Sequence, residues 1–200
     1  MKSDPDLLGV AGRMARILGE DACVLIGGLA VASHGYVRAT DDVDFVVSCS
    51  LAEARRRLET GGIQVTAIRG DVREGDVPCL KATVDGIPVD VLPPIVPLDW
   101  EKAIEVPVAG GHLRVVDLEG LFRLKLRAQG VQDVLDVAVL VLRHPDYAEK
   151  ARAIAAAYRV SDRLDTFLAD RRTRSTAAEQ KAREERPARS PGRGRRANGK

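Results

Sequence analysis

The spacing of apolar residues predicts a chain of alternating helices and strands. Apolar positions in residues 5–18 recur at helical intervals, which indicates an amphipathic helix packed on a core. The short apolar runs at 22–27 and 42–47 are typical of buried strands, and residues 28–35 between them predict a helix. Ser50 and Glu53 form the pattern of a capping box, so a second amphipathic helix is predicted to begin there and to end at the glycines at 61–62.

The remainder of the chain divides into a strand-rich part and a helix-rich part. The patterns predict strands at 63–68, 79–84 and 87–92, a short helix at 98–106, a short strand at 113–116, and three or four helices over 117–169. Asp85-Gly86 has the composition of a hairpin turn between the second and third of these strands. We therefore predict an α+β fold, with a mixed β-sheet core in residues 1–116 and a C-terminal helical bundle in residues 117–170.

The charge of the chain is unevenly distributed. Residues 171–200 contain 11 of the 31 Lys and Arg residues and only 3 of the 29 acidic ones, a net charge of +8, so that residues 1–170 carry −6. Arg, Pro and Gly dominate this segment, and few of its residues are apolar. We therefore predict a disordered basic tail over 171–200. Such a tail can attract nucleic acid through phosphate contacts, or it can serve solubility alone.

Length and composition restrict the class of protein. A chain of 200 residues with 45% hydrophobic content is long enough for one domain with a substantial core. The three cysteines are odd in number and widely spaced, which favours buried thiols in a reducing cytosol over disulfides or a zinc site. Neither a leader pattern nor an apolar run of about 20 residues is present, so we expect a cytoplasmic protein without a membrane partner.

The candidate chemistry centres on Asp42 and Asp44. Residues two apart on a strand point to the same face, so both carboxylates could hold one cation, and hard oxygen ligands suit Mg²⁺. Upstream, Gly27-Gly28 follows an apolar run and opens a predicted helix, a corner at which the backbone can approach a phosphate. Either feature alone has an ordinary structural explanation, and it is their combination that points to a metal-dependent phosphate site.

Together, Gly27-Gly28, Arg38-x-Thr40-x-Asp42-x-Asp44 and a later strand with Asp90 resemble the nucleotidyltransferase superfamily with a polymerase-β-like core. The resemblance spans roughly residues 22–142 and is closest to the AbiEii-type toxins and minimal nucleotidyltransferases. It implies that the glycine pair holds an NTP, and that Asp42, Asp44 and Asp90 bind Mg²⁺. It further implies a transfer of NMP to an acceptor hydroxyl, with Arg38 and Lys125 neutralising the triphosphate.

Several assignments stay open at the level of sequence. Asp85 competes with Asp90 as the third acid, although its place in a turn favours Asp90. Arg38 can instead pair with Asp41. Lys125 matches a helical lysine of the related toxins, but it can equally be an exposed helix residue.

Asp133 and Asp136 match two acids of a family motif whose arginine is missing, since Val131 or Gln132 stands at its position. Both acids can also be surface residues one helical turn apart.

The resemblance also implies partners. RNA, and in particular the end of a tRNA, is the acceptor that we expect, with the basic tail assisting, and the AbiEii likeness implies a toxin paired with an antitoxin protein. Two rival interpretations remain: a nucleotidyltransferase acting on a small molecule such as an aminoglycoside, and a catalytically silent nucleotide-binding module.

Overall fold

The computed structural model describes residues 6–70 and 77–185. Within these ranges the chain forms eight α-helices and seven β-strands. The helices are α1 (Leu7–Leu18), α2 (Gly27–Ser33), α3 (Leu51–Thr60), α4 (Leu118–Ala128), α5 (Val131–Arg143), α6 (Ala148–Ala157), α7 (Ser161–Ala169) and α8 (Arg171–Glu184). The strands are β1 (Cys23–Leu25), β2 (Val43–Val47), β3 (Val65–Ile68), β4 (Cys79–Val84), β5 (Ile87–Leu92), β6 (Ile104–Val108) and β7 (Gly111–Val115).

All seven strands belong to one mixed sheet in the order β3-β4-β5-β2-β1-β7-β6. The pairs β2–β5 and β1–β7 are parallel, and the other four pairs are antiparallel. β1 and β2 have the most completely buried strand residues, among them Phe45 and Val46, because they lie near the middle of the sheet. The predicted α+β class with a mixed sheet is thus confirmed.

Local sequence signals fix several boundaries. The Ser50 hydroxyl accepts a hydrogen bond from the Glu53 N–H at 3.2 Å and begins α3, as the capping box predicts. Asp117 begins α4 in the same way, with its carboxylate 3.1 Å from the Gly120 nitrogen. Asp85 and Gly86 both have positive φ, 53° and 83°, so they form the tight hairpin turn between β4 and β5 that their composition predicts.

The C-terminal half is a helical layer centred on α5. One face of α5 is completely buried, and α5 contacts α4, α7 and α8. Four α-helices occupy residues 118–169, which matches the predicted three or four. No helix in residues 6–70 or 77–185 has the length and apolarity that a membrane crossing requires.

The predicted helix at 98–106 is wrong. A short 3₁₀ turn covers Trp100–Lys102, and β6 then begins at Ile104 and forms an antiparallel hairpin with β7. The alternation of Ile104, Val106 and Val108 is a strand pattern, and the edge position of β6 in the sheet accommodates Pro107.

The predicted disorder of the tail is also wrong for its first part. Residues Arg171–Glu184 form α8, which begins at Asp170, whose carboxylate accepts from the Thr173 N–H at 2.9 Å. Thr173 and Ala177, four residues apart, are buried against the helical layer. The helix buries only these two small residues and is otherwise polar, so composition alone does not reveal that it docks. Residues 186–200 of the predicted tail lie outside the described ranges.

Candidate functional site

The Gly27-Gly28 turn packs directly against the strand that carries the D-x-D pair. The Ile26 N–H donates to the Asp44 carbonyl oxygen at 2.9 Å, which holds the turn beside β2. Gly27 has a φ of +66°, and a Cβ atom there would lie 2.0 Å from Asp44 Oδ2. A Cβ at Gly28 would lie 2.3 Å from Thr40 Oγ1. Both positions therefore require glycine, because the polar groups of residues 40–44 approach the bare backbone.

The three predicted acids lie on or beside two adjacent parallel strands. Asp44 on β2 and Asp90 on β5 are partners in the strand register. Asp42 immediately precedes β2, and its carboxylate accepts a hydrogen bond from the Thr40 hydroxyl at 2.8 Å. Asp90 is paired with Lys81 of β4 at 2.7 Å, so this carboxylate has the basic partner that its apolar strand predicts.

Asp44 is the electrostatically unusual member of the group. Burial raises the pKa of its carboxyl from 3.8 to about 7, and the negative charges of Asp42 and Asp90 add to the increase. Lys125 and Lys81 act in the opposite direction but do not outweigh it. A location that disfavours its own negative charge in this way favours a bound cation.

The donor set fits Mg²⁺ in its chemistry, since it consists only of carboxylate oxygens. Within residues 6–70 and 77–185, no three His, Cys, Asp or Glu side chains are gathered closely enough to form a complete metal cage. Mg²⁺ usually takes only one or two protein carboxylates and fills its other positions with waters and substrate phosphates. An incomplete carboxylate set is therefore compatible with this ion.

A buried ion-pair network adjoins the acids. Arg38 donates two parallel hydrogen bonds of 2.8 Å to the carboxylate of Asp136 on α5. Lys125 of α4 lies 3.0 Å from the same carboxylate and 2.8 Å from that of Asp133. The Asp136 side chain is completely buried, and Gln132 donates to it at 2.7 Å. Burial raises the pKa of Asp136, but the Arg38 hydrogen bonds and the Lys125 charge outweigh that effect and lower the pKa overall.

These groups surround an open cavity of about 410 Å³. It is lined by Gly27, Gly28, Arg38, Ala39, Thr40, Asp41, Asp42, Asp44, Lys125 and Asp133. Six of the seven predicted site residues therefore share one cavity, and Asp90 is the exception. Asp90 lies next to Asp44 across the strands and points to Lys81, which lines a separate groove of about 860 Å³ beside β3 and β4.

The structure resolves the alternatives that the sequence leaves open about contacts. Arg38 pairs with Asp136 and not with Asp41. Lys125 is buried and paired, so it is not an ordinary exposed helix lysine. Asp85 stays in the hairpin turn, 3.6 Å from Arg13. Val131 or Gln132 stands where the family motif has its arginine. The Gln132 amide donates to Asp136, and Arg38 provides a guanidinium to the same carboxylate from elsewhere in the chain.

Sequence reasoning did not identify Thr40 and Lys81 as contacts of the acids. The Thr40 hydroxyl is two residues from Asp42, and this short polar spacing is a signal that could have identified it. Lys81 is opposite Asp90 in the β4–β5 hairpin, and counting back from the Asp85-Gly86 turn pairs the two residues. The predicted turn therefore already contained the signal that pairs Lys81 with Asp90.

Comparisons with known proteins give structural matches only, since no family model and no curated protein sequence match the chain. The structure of ANT(2'')-Ia in complex with adenylyl-2''-tobramycin matches with a TM-score of 0.54 at 15% sequence identity, over 76% of this chain and 96% of that protein. An antigenic nucleotidyltransferase-like protein from Paracoccidioides brasiliensis matches with a TM-score of 0.50 at 16% identity, over 82% of this chain and 94% of that protein. At these identities the likeness shows that the chain shares the fold of these two proteins.

Proposed function

We propose that the protein is a nucleotidyltransferase, which transfers NMP from an NTP to an acceptor hydroxyl. The acceptor oxygen attacks the α-phosphate, a new P–O bond forms, and the bond to the leaving pyrophosphate breaks. One observation carries the proposal: two glycines, two cationic side chains and the Asp42 and Asp44 carboxylates line a single cavity in a fold shared with ANT(2'')-Ia and a nucleotidyltransferase-like protein. The adenylyl-2''-tobramycin in the first of these structures is the kind of product that such a transfer yields.

Each lining group has a role in this proposal. The bare backbone of Gly27 and Gly28 accommodates the terminal phosphates, while Arg38 and Lys125 neutralise their charge. Asp42 and Asp44 would hold Mg²⁺, which when bound would stabilise the attacking and leaving oxygens, whereas the predicted third ligand, Asp90, is paired with Lys81. Asp90 accepts the proton of the acceptor hydroxyl, since it lies next to Asp44 across the two parallel strands.

The acceptor is proposed to approach from the side of Lys81. Strand register aligns Thr66, Lys81, Asp90 and Asp44 in one row across β3, β4, β5 and β2. Thr66 and Lys81 also line the large groove beside this row. An acceptor bound in that groove would reach Asp90 before it reaches the nucleotide cavity. The row of side chains therefore connects the groove to the cavity.

For the acceptor we propose RNA, in particular a tRNA end, in a protein that acts as the toxin of a toxin-antitoxin pair. The support is the motif likeness to AbiEii-type toxins and the composition of residues 186–200, which contain six basic residues and no acidic one. A small-molecule acceptor is the second candidate, favoured by the adenylyl-tobramycin in the matching structure. An antitoxin protein and a cytoplasmic location belong to the same proposal.

Salt dependence distinguishes the two acceptor classes. If RNA phosphates contact the basic segment, KM for RNA rises steeply between about 50 and 200 mM salt, and deletion of residues 186–200 flattens that slope while kcat stays similar. A matched control replaces the six basic residues of the segment by Gln and keeps its length. Incubation with labelled NTPs, Mg²⁺ and total cellular RNA provides the direct test, and label found only in low-molecular-weight products would assign a small-molecule acceptor.

The silent-module alternative is tested by binding and turnover together. Calorimetric titration of NTP with and without Mg²⁺ measures binding, and pyrophosphate release measures turnover. Mg²⁺-dependent binding with pyrophosphate release on RNA supports the enzyme. Binding without release on any acceptor would favour the module.

A glycine substitution probes the turn without changing any charged group. We expect Gly28→Ala to weaken NTP binding at least about tenfold, because the new Cβ would lie 2.3 Å from Thr40 Oγ1 and would displace the side chain that orients Asp42. Gly62→Ala is the matched control, since nothing lies within 4 Å of a Cβ there, although its φ of +79° costs some stability. Equal NTP affinity of Gly28→Ala and wild type would contradict a phosphate-binding role for the turn.

A further inference from the structure

The loop that connects α2 to β2 forms hydrogen bonds with the C-terminal helices of the protein. Its first part, residues 34–38, is named loop 34–38 and leads from the C-terminal end of α2 to Arg38, after which the chain continues to the D-x-D pair. At its start, the His34 carbonyl oxygen accepts a hydrogen bond from the ring Nε2 of His144 at 3.0 Å. At its end, Arg38 is clamped on Asp136. Between these two points the loop is contacted by side chains of α8.

Helix α8 contacts the loop at two adjacent places. The Gln180 side-chain amide donates to the Val37 carbonyl oxygen at 3.2 Å, directly before Arg38. One turn later, Glu184 pairs with Arg143 of α5 at 2.5 Å. This pair covers Gly35, where a Cβ atom would lie 2.6 Å from Arg143 Nη2 and 2.7 Å from Glu184 Oε1. The loop backbone is therefore contacted by α5 and α8 immediately before the residue that enters the nucleotide cavity.

Polar contacts supplement the small apolar surface through which α8 docks. Only Thr173 and Ala177 of α8 are buried, and the helix is otherwise strongly polar. Arg143 strengthens the attachment, since its side chain is 5% exposed and its Nη1 also donates to the Ala177 carbonyl oxygen at 3.4 Å. The polar contacts near its C-terminal end, where α8 meets the loop, therefore add to the small apolar surface that the helix buries.

We propose that α8 is part of the nucleotide site, and that Gln180 and Glu184 are positioning residues that hold loop 34–38 so that Arg38 faces the triphosphate. This inference rests on the proposed function. Arg38 has a long, flexible side chain, and ordering such a side chain costs conformational entropy. If loop 34–38 already holds Arg38 in place in the free protein, this entropy is not lost when the nucleotide binds. A tethered loop therefore gives tighter nucleotide binding without any direct contact between α8 and substrate.

The proposal predicts a specific kinetic signature. Gln180→Ala removes one hydrogen bond of ordinary strength, so we expect about a fivefold higher KM for NTP, and a fivefold weaker affinity for inorganic tripolyphosphate, with kcat nearly unchanged. Glu184→Gln is expected to act in the same direction. The matched control is Glu179→Gln on the same helix, because Glu179 is exposed and its one side-chain hydrogen bond within residues 6–70 and 77–185 is from Ser175. Its kinetics should equal those of wild type.

A double-mutant cycle separates positioning from general loosening of the fold. If Gln180 acts through Arg38, Gln180→Ala has no further effect on KM in an Arg38→Ala background, whereas the two changes add when Gln180 supports the fold by another route. Additive effects, or a Gln180→Ala variant with unchanged KM, would overturn the proposal. The melting temperatures of the single variants show whether either result comes from unfolding.

A measurement without nucleotide keeps this inference distinct from the proposed function. In wild type, the Arg38 Nε–H is expected to give a resolved, slowly exchanging ¹⁵N resonance because it donates to Asp136 Oδ1 at 2.8 Å. Gln180→Ala together with Glu184→Gln should broaden it or speed its exchange, and Glu179→Gln should not. An unchanged resonance would overturn the positioning role. Absence of any NTP binding by wild type would instead contradict the proposed function, and the resonance would still decide whether α8 orders Arg38.

Discussion

Asp44→Asn is expected to abolish nucleotidyl transfer while raising the stability of the metal-free protein. The amide keeps the shape of the side chain but removes the charge that would hold Mg²⁺. Substitution of a residue that only supports a metal ligand lowers activity about 10- to 100-fold. Loss of a direct ligand should therefore lower activity by more than about 100-fold. Pyrophosphate release under saturating NTP measures the effect. Asp85→Asn, in the hairpin turn, is the matched control and should retain wild-type activity.

The stability change should depend on pH in a defined direction. Because the pKa of Asp44 is raised from 3.8 to about 7, ionisation of this group costs more in the folded than in the unfolded protein. Its contribution to stability is therefore intact below about pH 4 and is lost as the pH rises through 7. In the presence of a chelator, Asp44→Asn should melt above wild type at pH 8, and the two should converge near pH 4. A difference independent of pH would contradict the raised pKa.

Mg²⁺ should remove part of this penalty in wild type. A cation beside the ionised Asp44 stabilises only the folded state, so at pH 8 added Mg²⁺ should raise the wild-type melting temperature. Asp44→Asn should show a smaller increase. Equal increases in the two proteins would show that Mg²⁺ acts elsewhere, and would contradict the proposed metal site independently of any activity assay.

Asp136→Ala is expected to be the most destabilising single change near the site. It leaves the Arg38 guanidinium without its carboxylate partner and removes one of the two carboxylates that pair with Lys125. Removing one partner of a buried ion pair costs about 3–5 kcal/mol, because an uncompensated charge stays behind. In a protein of this size that corresponds to a fall in melting temperature of about 10 °C. Thermal unfolding followed by circular dichroism measures it.

A second substitution tests whether the stranded charge is the cause. Arg38→Met should partly restore the stability of Asp136→Ala, because it removes the unpaired guanidinium, but it should not restore transfer activity. Asp133→Ala provides the comparison. The Asp133 side chain is 25% exposed, and in this variant Lys125 still pairs with Asp136, so we expect the free energy of unfolding to fall by only about 1 kcal/mol. If Asp136→Ala and Asp133→Ala destabilise equally, the buried network has no special role in the stability of the fold.

The sequence alone determined the features that depend on neighbouring residues. The capping pattern at Ser50, the Asp85-Gly86 turn and the apolar runs of β2, β4 and β5 identified most elements, because each signal acts over a few residues. The same local rules put Asp42 and Asp44 beside one short strand and favoured Asp90 over Asp85. Four of the predicted site residues, Gly27, Gly28, Asp42 and Asp44, meet in one cavity because the glycine turn is hydrogen-bonded directly to β2, and these two elements are adjacent in the chain.

Only the tertiary structure decided which charges meet and which weakly patterned segments are ordered. Arg38 and Asp136 are 98 residues apart, so no local spacing could select this pair over Arg38–Asp41. The pKa of Asp44 depends on burial and on Asp90 from another strand. Residues 104–108 became a strand because β7 was available as a hairpin partner, and α8 formed because two small residues and a few polar contacts found complementary groups on α5 and loop 34–38. In each case the deciding free energy comes from contacts between segments distant in the chain, which composition and periodicity do not contain.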